Sequence, residues 1–424
     1  MVHLQTAMET ELHKAGASPF TAYSGSSTPL YNRSRSSTLF ARIVTFILAL
    51  GLYTSCRTYV MSSAAGADLS QYTESVFIPF MFKFSTEHVP QVMCTIEGVD
   101  IEMPIDTGST GTLIGAPILN IDPHVGKPAH HFFTSSRILY VGRLVELPIN
   151  FRGEAGLHAT AKVPILIVDK SYRCPWYDPT KDTFDCPVGP NGEKAVQRDT
   201  SNITYMGVGF GRNEPRDGMP YATPDINAFL NVESIGGRTV ATGSIRSGYI
   251  VSTDGVYLGL TSLNTRNFAF EDLQPGLTHK VDRRDWAMAQ MCVSIDGSVA
   301  RCGASLIDTG ISQMYIRAGE GVPIPTVFIR NPNKHSRTNM VKRVKPGTNI
   351  AVGFPSLESP VSSYSFVVGE GSKMEPSHAV PGQAVFPPFI NTGRHFLFGY
   401  LIAFDAVGGR FGFRPVHPSS SSVL

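Results

Sequence analysis

Cys94-Thr95-Ile96-Glu97-Gly98 leads into Pro104-Ile105-Asp106-Thr107-Gly108-Ser109, and far downstream Cys292-Val293-Ser294-Ile295-Asp296-Gly297 leads into Leu306-Ile307-Asp308-Thr309-Gly310-Ile311. Both stretches read as a strand, an acidic-Gly turn, a returning strand and then Asp-Thr-Gly. An acidic residue followed by glycine between apolar runs is a hairpin signal, because a two-residue turn needs positive φ. The spacing from Ile96 to Asp106 is 10 residues and that from Ile295 to Asp308 is 13. One Asp-Thr-Gly arises easily by chance. Two, each behind a matching hairpin, point to a duplicated β lobe.

The chain around these stretches is strand-like. Ser75–Ser85, Pro90–Gly98, Arg137–Phe151, Ala159–Val168, Gly248–Leu258 and Phe396–Phe413 show alternation or β-branched and aromatic enrichment. Short helical signals are confined to Thr223–Val232 and Asp285–Ala289. An all-β protein with minor helices is expected. Its lobes are placed at 68–238 and 239–424, the second ending in a short polar tail; Gly236-Gly237 interrupts the pattern near Ile235–Thr242.

Composition narrows the function classes. The 424 residues include 36 Lys+Arg against 34 Asp+Glu, with 17% charged and 42% hydrophobic residues, which excludes a disordered chain. A formal charge of +2 makes no electrostatic case for nucleic acid. Forty Gly and 30 Pro suit strands joined by turns. Residues 1–67 read as a polar amino-terminal region plus a signal peptide or signal-anchor. Ile43–Tyr53 is an 11-residue apolar run behind Arg42, shorter than the ~20 residues of a membrane span. The body is therefore expected in the secretory pathway, secreted or extracellular, or alternatively held by a single amino-terminal membrane anchor. Without 1–67 the chain carries 31 basic and 32 acidic residues, since that segment holds five of the 36 and two of the 34.

Five cysteines lie in the body. Cys174 with Cys186 bracket an insertion, and Cys292 with Cys302 flank the Ile295-Asp296-Gly297-Ser298 turn, which suggests two local disulfides with Cys94 left over. Five buried thiols are the alternative. Asn202-Ile203-Thr204 is a glycosylation acceptor sequence. No metal-ligand spacing stands out, His130-His131 has no spaced partner, and Gly207-Val208-Gly209-Phe210-Gly211-Arg212 lacks the helix that a dinucleotide loop requires. No cofactor and no metal are expected.

Two Asp-Thr-Gly turns facing each other would bring Asp106 and Asp308 to ~3 Å, where both cannot ionise cheaply and one proton is shared. One carboxylate then serves as base towards a water while the other, as acid, polarises a peptide carbonyl. Gly108 and Gly310 permit the close approach. Thr107 and Thr309 can cross-bond between the lobes and fix the spacing. The bland reading is two unrelated turns, each with a local Asp acceptor.

At these residues the chain resembles the pepsin-like aspartic proteases, in a divergent, fungal-type form, over roughly residues 75–415. Ile105-Asp106-Thr107-Gly108-Ser109-Thr110 matches the family's first motif almost completely. Leu306-Ile307-Asp308-Thr309-Gly310-Ile311-Ser312 matches the second less well. Tyr205-Met206-Gly207-Val208-Gly209-Phe210-Gly211 is similar to the strand that closes the first lobe around its Asp loop. His395-Phe396-Leu397-Phe398-Gly399-Tyr400 is similar to its counterpart in the second lobe, and Phe404-Asp405-Ala406 with Arg410-Phe411-Gly412-Phe413 to the terminal hairpin. The resemblance implies a bilobal acid-protease fold and an aspartic endopeptidase. Such an enzyme would be a monomer that takes an extended peptide or protein substrate across the interlobe cleft, under a flap whose Tyr would be Tyr140. A strand Tyr packed in its sheet is the other reading of Tyr140.

Three departures bear on activity. Ile311 stands where the family has a hydroxyl that bonds the second Asp, a loss worth ~1.5–3 kcal/mol. This is expected to raise the pKa of Asp308 and to leave Asp106, which keeps Ser109, as the ionised partner. Leu113 replaces a Trp that supports the flap Tyr. The interval Arg57–Thr73 is short for a pro-segment. The rival expectation is a catalytically weak or inactive binding protein that uses the same cleft.

Overall fold

The computed structural model describes residues 68–213, 222–241, 243–332 and 338–416. The expected signal region at 1–67 and the polar tail lie outside the described residues. Within them the chain is almost entirely β, and the helical elements are 3-10 turns of three to five residues. No helix of the described residues is long and apolar enough to cross a membrane.

Three large sheets organise the strands. A ten-stranded sheet is built from segments between Gln91 and Thr239, and a seven-stranded sheet from segments between Gln290 and Asn391. A six-stranded sheet takes strands from both ends, pairing Val76–Pro79 with Gly255–Leu260 and Arg246–Val251 with Tyr400–Asp405. It therefore crosses the boundary placed near 238. Asp405 is fully buried there, held by Arg246 at 2.8 Å and Arg410 at 2.9 Å.

The two quoted stretches fold alike. Gln91–Ile96 pairs antiparallel with Val99–Asp106 around Glu97-Gly98, with φ of 49° and 76°. Gln290–Ile295 pairs with Arg301–Leu306 around Asp296-Gly297, with φ of 49° and 72°. Each turn thus takes the left-handed conformation that the acidic-Gly pair permits. Gln91–Ile96 alternates half-buried and buried residues, whereas the last four residues of Val99–Asp106 are all buried as the strand enters the interior.

A parallel strand then closes each Asp loop. Thr204–Val208 lies beside Val99–Asp106, with Ile105 opposite Met206 and Asp106 opposite Gly207. Phe389–Asn391 lies beside Arg301–Leu306, with Leu306 opposite Asn391. The sequence reading put this second strand at 395–400, and the structure corrects it: Arg394–Phe398 is a 3-10 turn, and the closing strand is the shorter run before it. Phe396 and Leu397 read as strand because they are apolar, but they are buried as core residues of that turn. Of the expected helices, Thr223–Val232 yields two 3-10 turns, Pro224–Ile226 and Ala228–Leu230, and Asp285–Ala289 holds only an isolated bridge through Trp286.

Both expected cysteine pairs are at disulfide distance. Cys174 and Cys186 have Cα atoms 5.9 Å apart, and Cys292 and Cys302 face each other across the hairpin with Cα atoms 3.9 Å apart. Cys94 is buried and free. Such pairs suit an oxidising compartment. Asn202 is exposed in a turn before Thr204–Val208.

Candidate functional site

The two Asp-Thr-Gly loops meet at the floor of a cleft of about 1490 Å³. Asp106 and Asp308 are 8% and 5% exposed, and their carboxyl groups lie within hydrogen-bonding reach of each other. The glycines are a steric requirement here. A Cβ on Gly108 would overlap the Asp308 carboxylate, and one on Gly310 would sit 2.6 Å from Asp106 Oδ1.

Thr107 and Thr309 lock the loops together. The Thr107 N–H donates to Thr309 Oγ1 and the Thr309 N–H to Thr107 Oγ1, each at 3.0 Å. Their hydroxyls donate onwards to the carbonyls of Ile307 at 2.6 Å and Ile105 at 2.7 Å. Every polar atom of the two threonine side chains is thereby used across the seam, which fixes the separation of the carboxylates.

The inner oxygens are treated alike: the Gly108 N–H donates to Asp106 Oδ1 at 2.6 Å, and the Gly310 N–H to Asp308 Oδ1 at 2.7 Å. The outer oxygens differ. Asp106 Oδ2 accepts from Ser109 Oγ at 2.9 Å and from the Tyr205 hydroxyl, which also contacts Ser109 Oγ. Asp308 Oδ2 accepts from Asn391 Nδ2 at 2.6 Å. The Gly393 N–H donates to Asn391 Oδ1 at 3.0 Å, which turns the amide so that its NH2 faces the carboxylate. Tyr205 and Asn391 occupy corresponding places. Asn391 lies opposite the residue two before Asp308, and Tyr205 precedes Met206, which lies opposite the residue one before Asp106.

The expected loss of a donor at Ile311 is therefore corrected. Ile311 is 2% exposed and donates nothing through its side chain, but Asn391 supplies the missing bond. The Asp308 carboxyl is still pushed up, to about 7, and the reason is burial, reinforced by the negative charge of Asp106; the N–H groups of Asn391 and Gly310 pull the other way. Burial and the Asp106 charge also raise the Tyr205 phenol well above its ordinary range, so it remains a neutral donor.

Two arginines brace the loops from behind. Arg212 Nε donates to the Gly108 carbonyl at 2.9 Å. Arg394 has no exposed surface and donates to the carbonyls of Thr309 at 3.0 Å, Gly310 at 2.9 Å and Thr86 at 3.0 Å. Burial lowers its pKa to about 10, with both dyad carboxylates opposing that, so it stays a cation at neutral pH.

The hairpin Lys127–Phe133 and Ile138–Arg152 brings its tip, Phe133 to Arg137, to the cleft wall. Tyr140 is on this hairpin but does not line the cleft. It is 3% exposed in a cluster with Leu113, Ile138, Leu166 and Val168, and its hydroxyl meets Arg198. Beside the hairpin tip, the rings that do line the cleft include Phe133 and Tyr205, 5.2 Å apart. Tyr205, Asn391, Arg212 and Arg394 were not assigned to the site from sequence. The legible signal was the parallel between Tyr205-Met206-Gly207 and Asn391-Thr392-Gly393, each with a hydrogen-bonding side chain two residues before a glycine, on the strand that lies parallel beside the Asp strand.

Among the described residues no group of three or more His, Cys, Asp or Glu is arranged to hold a metal ion. The sequence matches no protein-family model and no curated protein.

Proposed function

We propose that this protein is an aspartic endopeptidase with a bilobal, pepsin-like fold, acting outside the cytosol on extended peptide segments. The observation that carries the reading is the pair of Asp-Thr-Gly loops, facing each other at the floor of one cleft and tied by reciprocal threonine bonds.

The chemistry follows from the asymmetry of the pair. Asp308, with its carboxyl raised to about 7, keeps the shared proton, while Asp106 accepts from two side-chain donors at its outer oxygen. Asp106 takes a proton from a water as its oxygen attacks the scissile carbonyl carbon. Asp308 passes its proton to the carbonyl oxygen, which becomes the second hydroxyl of a tetrahedral gem-diol. On collapse Asp106 gives the proton it took to the leaving nitrogen, the C–N bond breaks, and one hydroxyl returns its proton to Asp308 as the carbonyl re-forms. The hairpin tip at Phe133 to Arg137 covers the substrate, whose backbone lies along the cleft as an added strand.

The test is digestion of a peptide library from acid to neutral pH by wild type and Asp106→Asn. Cleavage by wild type that the variant loses supports the reading. Absence of cleavage at every pH, or equal cleavage by the variant, sinks it in favour of a non-hydrolytic binding protein on the same fold.

A further inference from the structure

An aromatic contact joins the hairpin tip to the dyad. Phe133 ends the strand Lys127–Phe133, opposite Ile138, and its half-buried ring lines the cleft. That ring meets the ring of Tyr205 at 5.2 Å and 74°, an edge-to-face arrangement. Tyr205 comes from a different part of the sheet, the strand Thr204–Val208 that lies beside the Asp106 strand. Its hydroxyl donates to Asp106 Oδ2 and contacts Ser109 Oγ. Contact therefore runs from the tip, through the Tyr205 ring, to the outer oxygen of Asp106.

Packing sets where the two rings stand. Alternation along Lys127–Phe133 puts Phe133 and His131 on one face, and their rings lie 4.4 Å apart. Tyr140, expected over the cleft, instead backs Phe133 at 5.8 Å, edge to face. Leu113 lies directly opposite Tyr205 in an antiparallel pair, and both Phe133 and Tyr205 pack against the cluster that Leu113 and Tyr140 share. Phe133 is thus supported from behind and presses on Tyr205 from the cleft wall. A phenol held by its hydroxyl at one end and wedged at its ring has little freedom to swing off the carboxylate.

We infer, on the reading of the cleft as an endopeptidase site, that Phe133 is a positioning residue for the dyad: it keeps the Tyr205 phenol on Asp106, and so couples seating of the hairpin tip to the setting of the base. A tip seated over a peptide brings Phe133 against Tyr205. A lifted tip leaves the phenol to its hydrogen bonds alone. The contact between two ring edges is modest, so a several-fold effect is expected rather than abolition.

The experiment is a double-mutant cycle on the full chain, with kcat and KM measured on one peptide for wild type, Phe133→Leu, Tyr205→Phe and the double variant. Phe133→Leu should lower kcat about fivefold and change KM by less than about twofold. In the Tyr205→Phe background the same substitution should change kcat by less than about twofold, because no phenol remains to be held. Phe133→Tyr, which keeps the ring, should stay within about twofold of wild type in kcat. Thermal unfolding checks that each variant is folded, and Phe133→Met replaces Phe133→Leu if the latter is not. An equal kcat loss in both backgrounds, or an effect confined to KM, would make Phe133 a wall of the substrate cleft and overturn the inference with proteolysis intact. If wild type hydrolyses no peptide, the endopeptidase reading fails separately. A crystal structure of Phe133→Leu then decides the matter: a Tyr205 hydroxyl displaced from Asp106 Oδ2 upholds the positioning role, and an unmoved phenol overturns it.

Discussion

The loops at Asp106 and Asp308 share a backbone and differ in what holds the outer carboxylate oxygen. In both, a strand rises from an acidic-Gly hairpin, the loop glycine N–H donates to Oδ1, and a threonine reaches across to the other loop. At Asp106 the outer oxygen has a serine hydroxyl from within the loop and a phenol from the neighbouring strand. At Asp308 the loop offers Ile311, and an amide from the corresponding neighbouring strand takes over. The comparison teaches that a symmetric backbone can hold an asymmetric pair. The scaffold sets where the carboxylates meet, and a few side chains decide which of them keeps the proton.

The most severe way to break the comparison is to remove one carboxylate at a time. Asp106→Asn and Asp308→Asn should each lower kcat on a cleaved peptide by ~10²–10⁴, the range of general acid–base catalysis. They should differ in stability. A carboxyl raised to about 7 in the folded protein favours folding at low pH, and that contribution is lost as pH rises from the unfolded value towards 7. Asp308→Asn should therefore raise Tm relative to wild type more at pH 7.5 than at pH 4. A smaller gain at pH 7.5 than at pH 4 would show that burial of Asp308 is not costly.

The threonine lock should instead respond symmetrically. Thr107→Val and Thr309→Val each delete a hydroxyl that accepts from one buried N–H and donates to one buried carbonyl. Each is expected to cost about 2–4 kcal/mol of stability, from two lost bonds and the polar atoms left without partners. Urea unfolding midpoints measure this, and a large difference between the two variants would mean that the seam is held from one side.

Smaller effects sharpen the asymmetry. Tyr205→Phe and Ser109→Ala each remove one donor from the Asp106 anion. Either should lower kcat/KM on a cleaved peptide by about tenfold, the worth of one hydrogen bond to a charged group. An unchanged kcat/KM in both would show that these donors do not act on the reacting carboxylate. Asn391→Leu removes the side-chain donor to Asp308, so its carboxyl should rise further above about 7 and the basic limb of the kcat/KM profile should move up with it, by about one unit. Ile311→Thr should have the least effect, lowering the basic limb by less than about half a unit, because Asp308 Oδ2 already accepts from Asn391. A full-unit shift in that variant would show that the amide and the restored hydroxyl act independently.

What the sequence by itself determined is local and periodic. Alternation between Gln91 and Ile96, the acidic-Gly turns and the apolar runs into each Asp-Thr-Gly fix two hairpins and two loops, because pleat period and turn φ are properties of a few neighbouring residues. The pairing of Cys292 with Cys302 followed from the same hairpin. What only the tertiary structure decided lies between segments far apart in the chain. Asn391 reaches Asp308 across 83 residues and Tyr205 reaches Asp106 across 99. Arg394 reaches Thr86 across 308. Tyr140 turned into its own sheet because Leu113, Leu166 and Val168 offer it an apolar cluster, a choice set by packing that no run of neighbouring residues encodes. A donor from a distant strand carries no local signature, since its meaning depends on the register that places it opposite the carboxylate.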